Sequence, residues 1–314
     1  MLSRRQLALA LSGAALAPGI AFAHENAPDA APDPEDVIGA GEDRYDRLTI
    51  PVMIGGQGPF QFVVDTGADR TVLSQDVAEQ LGLPPGRDVL VQGITGSELT
   101  RTVKAPEITI GKISLKGLDL PVLSRERLGV DGLLGVDALQ KRRLVMDFRA
   151  RKLEILSASG AYKPGSTSSD AFVSARDRFG RLVVIDANAN GAPVSAFLDS
   201  GAGMSIANSA LAESISNRGG WRGLGRTVPL YGVTSHQATA ELRRLDSVRL
   251  GGLRFTDIPV LIADLDLFAQ WGMADRPTIL LGVNVLRLFS RVEMDYGRRR
   301  VMFRVGADPQ IWLA

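Results

Sequence analysis

Apolar residues in this chain gather in short runs broken by Gly, Asn and Pro, not in long helical periods. An apolar run from Leu48 enters a glycine-rich turn, Gly55 to Gly58, and a second run, Phe60 to Val64, leaves it. The same pattern returns from Leu182, through Asn188 to Gly191, to Val194 to Leu198. Each reads as a β-hairpin. Each second strand delivers the chain into a polar triplet, Asp65-Thr66-Gly67 or Asp199-Ser200-Gly201, and a short helix is predicted soon after. Ser74 and Asn208 are good N-caps for those helices, and Gly82 with Pro84 and Pro85 stops the first. Alternating stretches, Lys152 to Leu156 and Arg300 to Val305, predict closing strands.

These recurrences form one internal repeat. Leu48 to Asp65 lies over Leu182 to Asp199 without a gap, with Pro59 on Pro193, and the register holds to Ala78-Glu79 over Ala212-Glu213. Gly93-Ile-Thr-Gly-Ser97 matches Gly232-Val-Thr-Ser-His236, and Leu133-Leu-Gly-Val136 matches Leu280-Leu-Gly-Val283. Val145-Met-Asp-Phe148 matches Glu293-Met-Asp-Tyr296. The expected fold is all-β with short helices: a duplicated chain of two lobes related by a pseudo-two-fold axis. Lobe one covers 47–156 and lobe two 172–305, with a Ser/Gly-rich linker at 157–171 and a C-terminal tail at 306–314.

Composition narrows the chemistry. There are no cysteines, so thiol nucleophiles, disulfides and Cys-bound zinc are excluded. The only histidines are His24 and His236, which makes paired-histidine metal sites improbable and leaves carboxylates as the leading acid–base groups. Net charge is +1, so no basic face for nucleic acid is implied. Residues 1–23 read as an export signal: Arg4-Arg5, an apolar stretch Leu7 to Ala17, and an Ala21-Phe22-Ala23 cleavage site. Ser3-Arg4-Arg5-Gln6-Leu7 partly matches a twin-arginine signal, so a periplasmic or secreted protein is expected, with no stable membrane span once the signal is removed. Residues 24–46 are rich in Ala, Pro, Asp and Glu and read as a mobile tail, or alternatively a pro-segment.

The repeated triplet carries the chemistry. Each Asp ends an apolar strand, the Gly lets the backbone turn, and the Thr or Ser hydroxyl can bond across the two-fold axis. Two such loops brought together make two carboxylates share one proton, since like charges at close range cannot both ionise. One then serves as general base on a water, the other as general acid. A lone Asp-Thr/Ser-Gly triplet is weak evidence and usually a surface turn. Two copies in equivalent positions of a repeat select Asp65 and Asp199 as catalytic candidates, supported by Thr66, Gly67, Ala68, Ser200, Gly201 and Ala202.

Phe62-Val-Val-Asp-Thr-Gly-Ala-Asp-Arg-Thr-Val-Leu73 resembles the active-site loop of the retropepsin-like aspartic proteases, the pepsin and retroviral-protease superfamily. Ala196 to Ile206 resembles a second copy, and Asp131 to Gly135 and Thr278 to Gly282 resemble the apolar-Gly element that packs behind it. The resemblance covers nearly all of 47–305 and implies an aspartic endopeptidase that carries both halves of its site in one chain. It also implies substrate-covering flaps at Gly93, Ile94, Thr95 and Gly96 and at Tyr231, Gly232 and Val233, against ordinary β-turns as the plain alternative. Tyr231 and His236 are expected at a solvated loop tip. Ala68 and Ala202 stand where pepsins usually have Ser or Thr; losing those hydroxyls favours the protonated dyad and a working pH nearer neutral.

No cofactor and no metal are expected. The partner is a protein or peptide substrate. A monomer is sufficient, and a homodimer stays open. The rival functions are a non-catalytic periplasmic peptide-binding protein and an envelope scaffold on the same fold. Asp137, Asp147, Asp295, Asp264 and Asp266 are expected at turns or the surface, and Trp221 and Trp271 as packing residues.

Overall fold

The computed structural model describes residues 37–139, 142–157, 169–178, 181–184, 186–218, 221, 225–306 and 311–313. The expected export signal, 24–36 of the expected tail and most of the linker lie outside the described residues.

Lobe one is built from β1 (Val37–Gly39), β2 (Gly41–Glu42), β3 (Leu48–Ile54), β4 (Gln57–Val64), β5 (Val72–Ser74), α1 (Gln75–Gln80), β6 (Pro85–Gly93), β7 (Gly96–Ile110), β8 (Ile113–Leu123), α2 (Arg125–Leu128), β9 (Gly132–Leu134), α3 (Val136–Leu139), β10 (Arg142–Asp147) and β11 (Lys152–Ser157). Lobe two follows with β12 (Asp170–Arg178), β13 (Arg181–Val184), β14 (Ala187–Ala189), β15 (Ala192–Pro193), β16 (Ser195–Leu198), β17 (Ser205–Ala207), α4 (Ser209–Ser216), β18 (Arg226–Tyr231), β19 (Gln237–Leu250), β20 (Leu253–Ile262), α5 (Asp266–Gln270), β21 (Thr278–Leu281), α6 (Val283–Leu286), β22 (Phe289–Asp295), β23 (Arg300–Val305) and β24 (Ile311–Leu313).

Both lobes start with the expected hairpin. Gly55 and Gly56 turn β3 into β4 with φ of 55° and 78°, and Asn190 and Gly191 turn β14 into β15 with φ of 46° and 83°. Two successive residues at positive φ match the twist of a two-residue hairpin loop, which is why Gly and Asn stand there. The helix caps also form as read: the Ser74 side chain accepts from the Val77 N–H and Asn208 from the Leu211 N–H.

The centre of each lobe is the same three-strand crossing. In lobe one β9 runs parallel to β4 and antiparallel to β5, while β5 runs parallel to β8. In lobe two β21 runs parallel to β16 and antiparallel to β17, while β17 runs parallel to β20. Strands paired on both sides and covered on both faces must be apolar throughout. β9 and β21 are buried at every position, which explains the short Leu-Leu-Gly runs in the sequence.

The lobes join through one sheet, in which β10 pairs antiparallel with β22. Val145 faces Glu293, its own repeat equivalent, while Leu144 faces Met294 and Met146 faces Val292. A strand pairing with its own counterpart is what a two-fold axis through that pair requires. One face of the sheet is core: Leu144, Met146, Leu153, Val292, Met294, Val301 and Phe303 are all buried. At roughly 1.5–3 kcal/mol per large side chain, this face welds the lobes into one body. The other face carries reciprocal cross-lobe ion pairs, Arg143–Glu293 at 3.7 Å and Arg291–Glu154 at 3.5 Å.

Three boundaries differ from the sequence expectation. Residues 37–46, placed in a mobile tail, are ordered: β1 pairs with β11, and β2 with β3. The linker loses both ends, because Ser157 closes β11 and Asp170 opens β12. Within the C-terminal tail, Ile311–Leu313 pairs with β20. Composition favoured a mobile tail up to residue 46, but backbone pairing to an existing sheet edge needs few apolar side chains.

Candidate active site

β4 and β16 end at Asp65 and Asp199, and backbone bonds fix both turns from behind. The Asp65 N–H donates to Leu134 O, and the Asp199 N–H to Leu281 O, each at 3.0 Å. Val136 N–H reaches Ala68 O and Val283 N–H reaches Ala202 O, both at 2.8 Å. Gly135 and Gly282 allow this approach: a side chain at either would overlap the active-site loop, Arg70–Thr71 or Ala202–Met204.

Across the axis the two triplets interlock. Thr66 Oγ1 donates to Leu198 O at 3.0 Å and accepts from Ser200 N–H at 3.0 Å. Ser200 Oγ donates to Val64 O at 2.6 Å and accepts from Thr66 N–H at 3.2 Å. Both side chains are buried. The hydroxyls therefore tie each loop to the strand end of the other lobe.

This brings the carboxylates together. A Cβ at Gly67 would lie 2.6 Å from Asp199 Cγ, and one at Gly201 would overlap the Asp65 carboxylate. Each acid rests on the opposite glycine, where only hydrogen leaves room. Each also accepts from its own loop: Asp65 Oδ1 from Gly67 and Ala68 N–H at 2.8 and 3.0 Å, and Asp199 Oδ1 from Gly201 and Ala202 N–H at 2.8 and 3.2 Å. Burial raises the Asp65 pKa, opposed by the Gly67 N–H and then by Arg47. Burial, followed by the Asp65 charge, pushes Asp199 up to about 7, opposed by the Gly201 N–H and then by Arg181. The pair is thus biased towards holding a proton.

A family model for aspartyl proteases matches residues 50–138 and, a second time, residues 185–285. The chain belongs to the aspartyl protease family. Each matched span contains one Asp-Thr/Ser-Gly loop, one of the turn sequences expected as flaps and one apolar-Gly strand, so the two matches fall on the two lobes.

The sequences expected as flaps form two hairpins, β6–β7 and β18–β19, whose tips meet. Thr95 Oγ1 donates to His236 O at 2.9 Å, and Thr234 Oγ1 to Gly96 O at 3.2 Å. A Cβ at Gly93 would press on Thr234, and one at Gly232 on Thr95 and Ile94. The tips also exchange apolar residues. Ile94 packs on the lobe-two cluster around Phe197, Phe268 and Trp271, and Val233 on the lobe-one cluster around Val63, Leu123 and Leu128. The Ser235 N–H donates to Glu98 Oε2 at 2.6 Å, and Arg127 pairs with that carboxylate at 3.2 Å. Tyr231, by contrast, is 62% exposed. At the loop tip expected in solvent Tyr231 and His236 are both exposed, while Thr234 between them is buried.

Trp271 is a packing residue, stacked on Phe197 with centroids 4.6 Å apart. Asp137 is exposed and caps Thr71, and Asp264 caps Ser209. Asp295, expected at a turn or the surface, stands at the turn after β22 and is buried there: its carboxylate accepts from the Arg298 N–H at 2.8 Å and pairs with the Arg298 guanidinium at 2.9 Å. Two site residues carried no motif signal. Arg47 donates to Gly201 O at 3.2 Å, and Arg181 donates to Gly67 O through Nη2 at 2.7 Å. Both stand one residue before the aligned Leu48 and Leu182, where nothing but the repeat itself marks them. Among the described residues no helix is long and apolar enough to cross a membrane.

Proposed function

We propose that this chain is an aspartic endopeptidase in which Asp65 and Asp199 share one proton and together activate a water. The observation that carries this reading is the reciprocal seating of two acids, Asp199 buried and Asp65 partly so, each on the other lobe's glycine, inside a lattice of crossed hydroxyls. The ionised carboxylate takes a proton from water as its oxygen bonds to the peptide carbon. The protonated carboxylate gives its proton to the carbonyl oxygen. The tetrahedral diol then collapses: one hydroxyl returns its proton to the pair as C=O re-forms, the C–N bond breaks, and the leaving nitrogen receives a proton from the pair, which is left with the one proton it began with. The proton states belong to the pair and not to either residue. The paired flaps close over an extended peptide and exclude water. The substrate is a protein or peptide, and residues 1–23 support an exported enzyme.

The test is cleavage of an unfolded protein mixture by the chain starting at His24, alongside Asp65→Asn and Asp199→Asn, across several pH values and with pepstatin. Cleavage by the native chain that either substitution abolishes is the expected result. A folded native chain that cuts nothing at any pH defeats the reading.

A further inference from the structure

The repeat aligns Arg47 with Arg181, and the two side chains perform the same crossing in opposite directions. Arg47, from lobe one, donates through Nη1 to the carbonyl of Gly201. Arg181, from lobe two, donates to the carbonyl of Gly67 through Nε at 3.1 Å and Nη2 at 2.7 Å. Gly201 is the residue under the Asp65 carboxylate, and Gly67 is the residue under Asp199. Each guanidinium is buried and sits one peptide behind the floor on which an acid rests.

A buried guanidinium needs an anionic partner, and the lobes supply theirs differently. Arg181 pairs with Asp69 at 2.8 Å, a residue of the loop it grips. The repeat equivalent of Asp69 is Gly203, which has no carboxylate. Arg47 instead takes Asp43, which it contacts at 2.6 and 2.8 Å, from the segment ahead of lobe one. Tyr45 of that segment fills the space above Gly203, within 3.3 Å of where a Cβ would stand.

We propose that Arg47 and Arg181 are positioning residues for the acid pair, holding the two glycine carbonyls across the axis and setting by their charge the pH window in which the pair carries one proton. This rests on the shared-carboxylate reading above. The charged and titratable groups around the pair are few. Arg47 and Arg181 are backed by Asp43 and Asp69. Buried Tyr296 and, beyond it, Asp177 lie on the Arg181 side. Arg44 and Asp46 flank Tyr45, Arg70 follows Asp69, and the flaps bring Glu98 with Arg127, and His236. Of these, Arg47 lowers the proton affinity of Asp65, and Arg181 lowers that of Asp65 and Asp199 alike.

The experiment compares Arg181→Gln, Arg181→Lys, Arg47→Gln and Asp69→Asn in the full chain. The readouts are the pH profile of kcat/KM on fluorescein-labelled casein and the carbon-13 titration of the aspartate carboxyls. Losing a nearby cation favours the protonated acids, so both limbs of the profile should move to higher pH in Arg181→Gln, by roughly one unit. Arg47→Gln should move them by less. Arg181→Lys keeps the charge and should keep the limbs, while kcat/KM at the optimum falls about tenfold because one fork of donors is lost. Asp69→Asn removes an anion and should move the limbs to lower pH; the amide oxygen still offers Arg181 an acceptor, and urea unfolding of this variant verifies its fold, so the test stands even if a Gln variant fails to fold. Loss of amplitude with unmoved limbs, or an Asp69→Asn profile that stays in place, overturns the proposal. If the native chain does not cleave casein, the peptidase reading fails instead, and the carboxyl titrations of the same variants still decide whether the arginines set the window.

Discussion

Replacing Thr66 by Val tests the hydroxyl lattice, because Val keeps the shape and removes only the oxygen. Two buried groups then lose their partner, Leu198 O and Ser200 N–H, at 3.0 Å each in the native protein. An orphaned buried group costs roughly 1–3 kcal/mol, so the expected loss of stability for two is about 2–6 kcal/mol. Thr66→Ser keeps both bonds and gives up one methyl, a cost of about 0.8 kcal/mol; lobe two already uses Ser200 in the equivalent place. The measurement is urea unfolding at fixed pH, followed by tryptophan fluorescence and far-UV circular dichroism, whose coincidence licenses a single free energy. A cycle with Ser200→Ala should show coupling of about 0.5–3 kcal/mol, since the two residues exchange bonds. A Thr66→Val variant within about 0.5 kcal/mol of the native protein, or strictly additive with Ser200→Ala, would mean that the lattice does not hold the lobes in register.

Gly67→Ala or Gly201→Ala places a methyl in the opposite carboxylate, and peptide cleavage should fall at least about a hundredfold, with near-UV circular dichroism retained. The Asp199 pKa is raised to about 7, so the folded state holds a proton that the unfolded chain releases near 3.8. Stability should therefore fall as pH rises between those values, by up to about 1.4 kcal/mol per unit, and Asp199→Asn should flatten the slope in denaturant titrations. With the alanines at 68 and 202 offering no hydroxyls, the kcat/KM optimum should lie well towards neutral; an optimum below about pH 3 rejects the argument. Glu98→Gln turns a charge-assisted flap bond into a neutral one, and exchange of the Ser235 amide hydrogen should quicken about tenfold.

Much of this was legible because the chain states it twice. Asp65 and Asp199 stand out through equivalence in the repeat, and the apolar-Gly runs stand out because strands covered on both faces admit only apolar residues. The two meeting hairpin tips were harder to read. Glycine and threonine at a turn predict a solvated loop, and only the arrival of the other hairpin buries Thr234. The ordered segment 37–46 was unreadable for a related reason. Asp43 meets Arg47 locally in the chain, but Tyr45 finds its neighbour Gly203 only once the lobes pack.

The two lobes also show which features the site geometry demands and which it leaves free. Asp137 accepts from Thr71 N–H at 2.9 Å and Thr71 Oγ1 at 2.8 Å, while its counterpart Asn284 accepts the same pair of bonds from Ser205, both at 2.8 Å. Position and acceptor are kept, and charge is not. Asn284 uses its amide to reach Pro259 O at 2.9 Å, a bond that a carboxylate cannot donate. Asp69 and Gly203 diverge further, because Asp43 supplies from outside the repeat the anion that Gly203 lacks. Two identical chains around a true two-fold axis would have to place the same charge at both ends of the site. A single chain carrying both lobes is free of that constraint, and here it has kept the acids, hydroxyls, glycines and crossing arginines in step while letting the charges behind them differ.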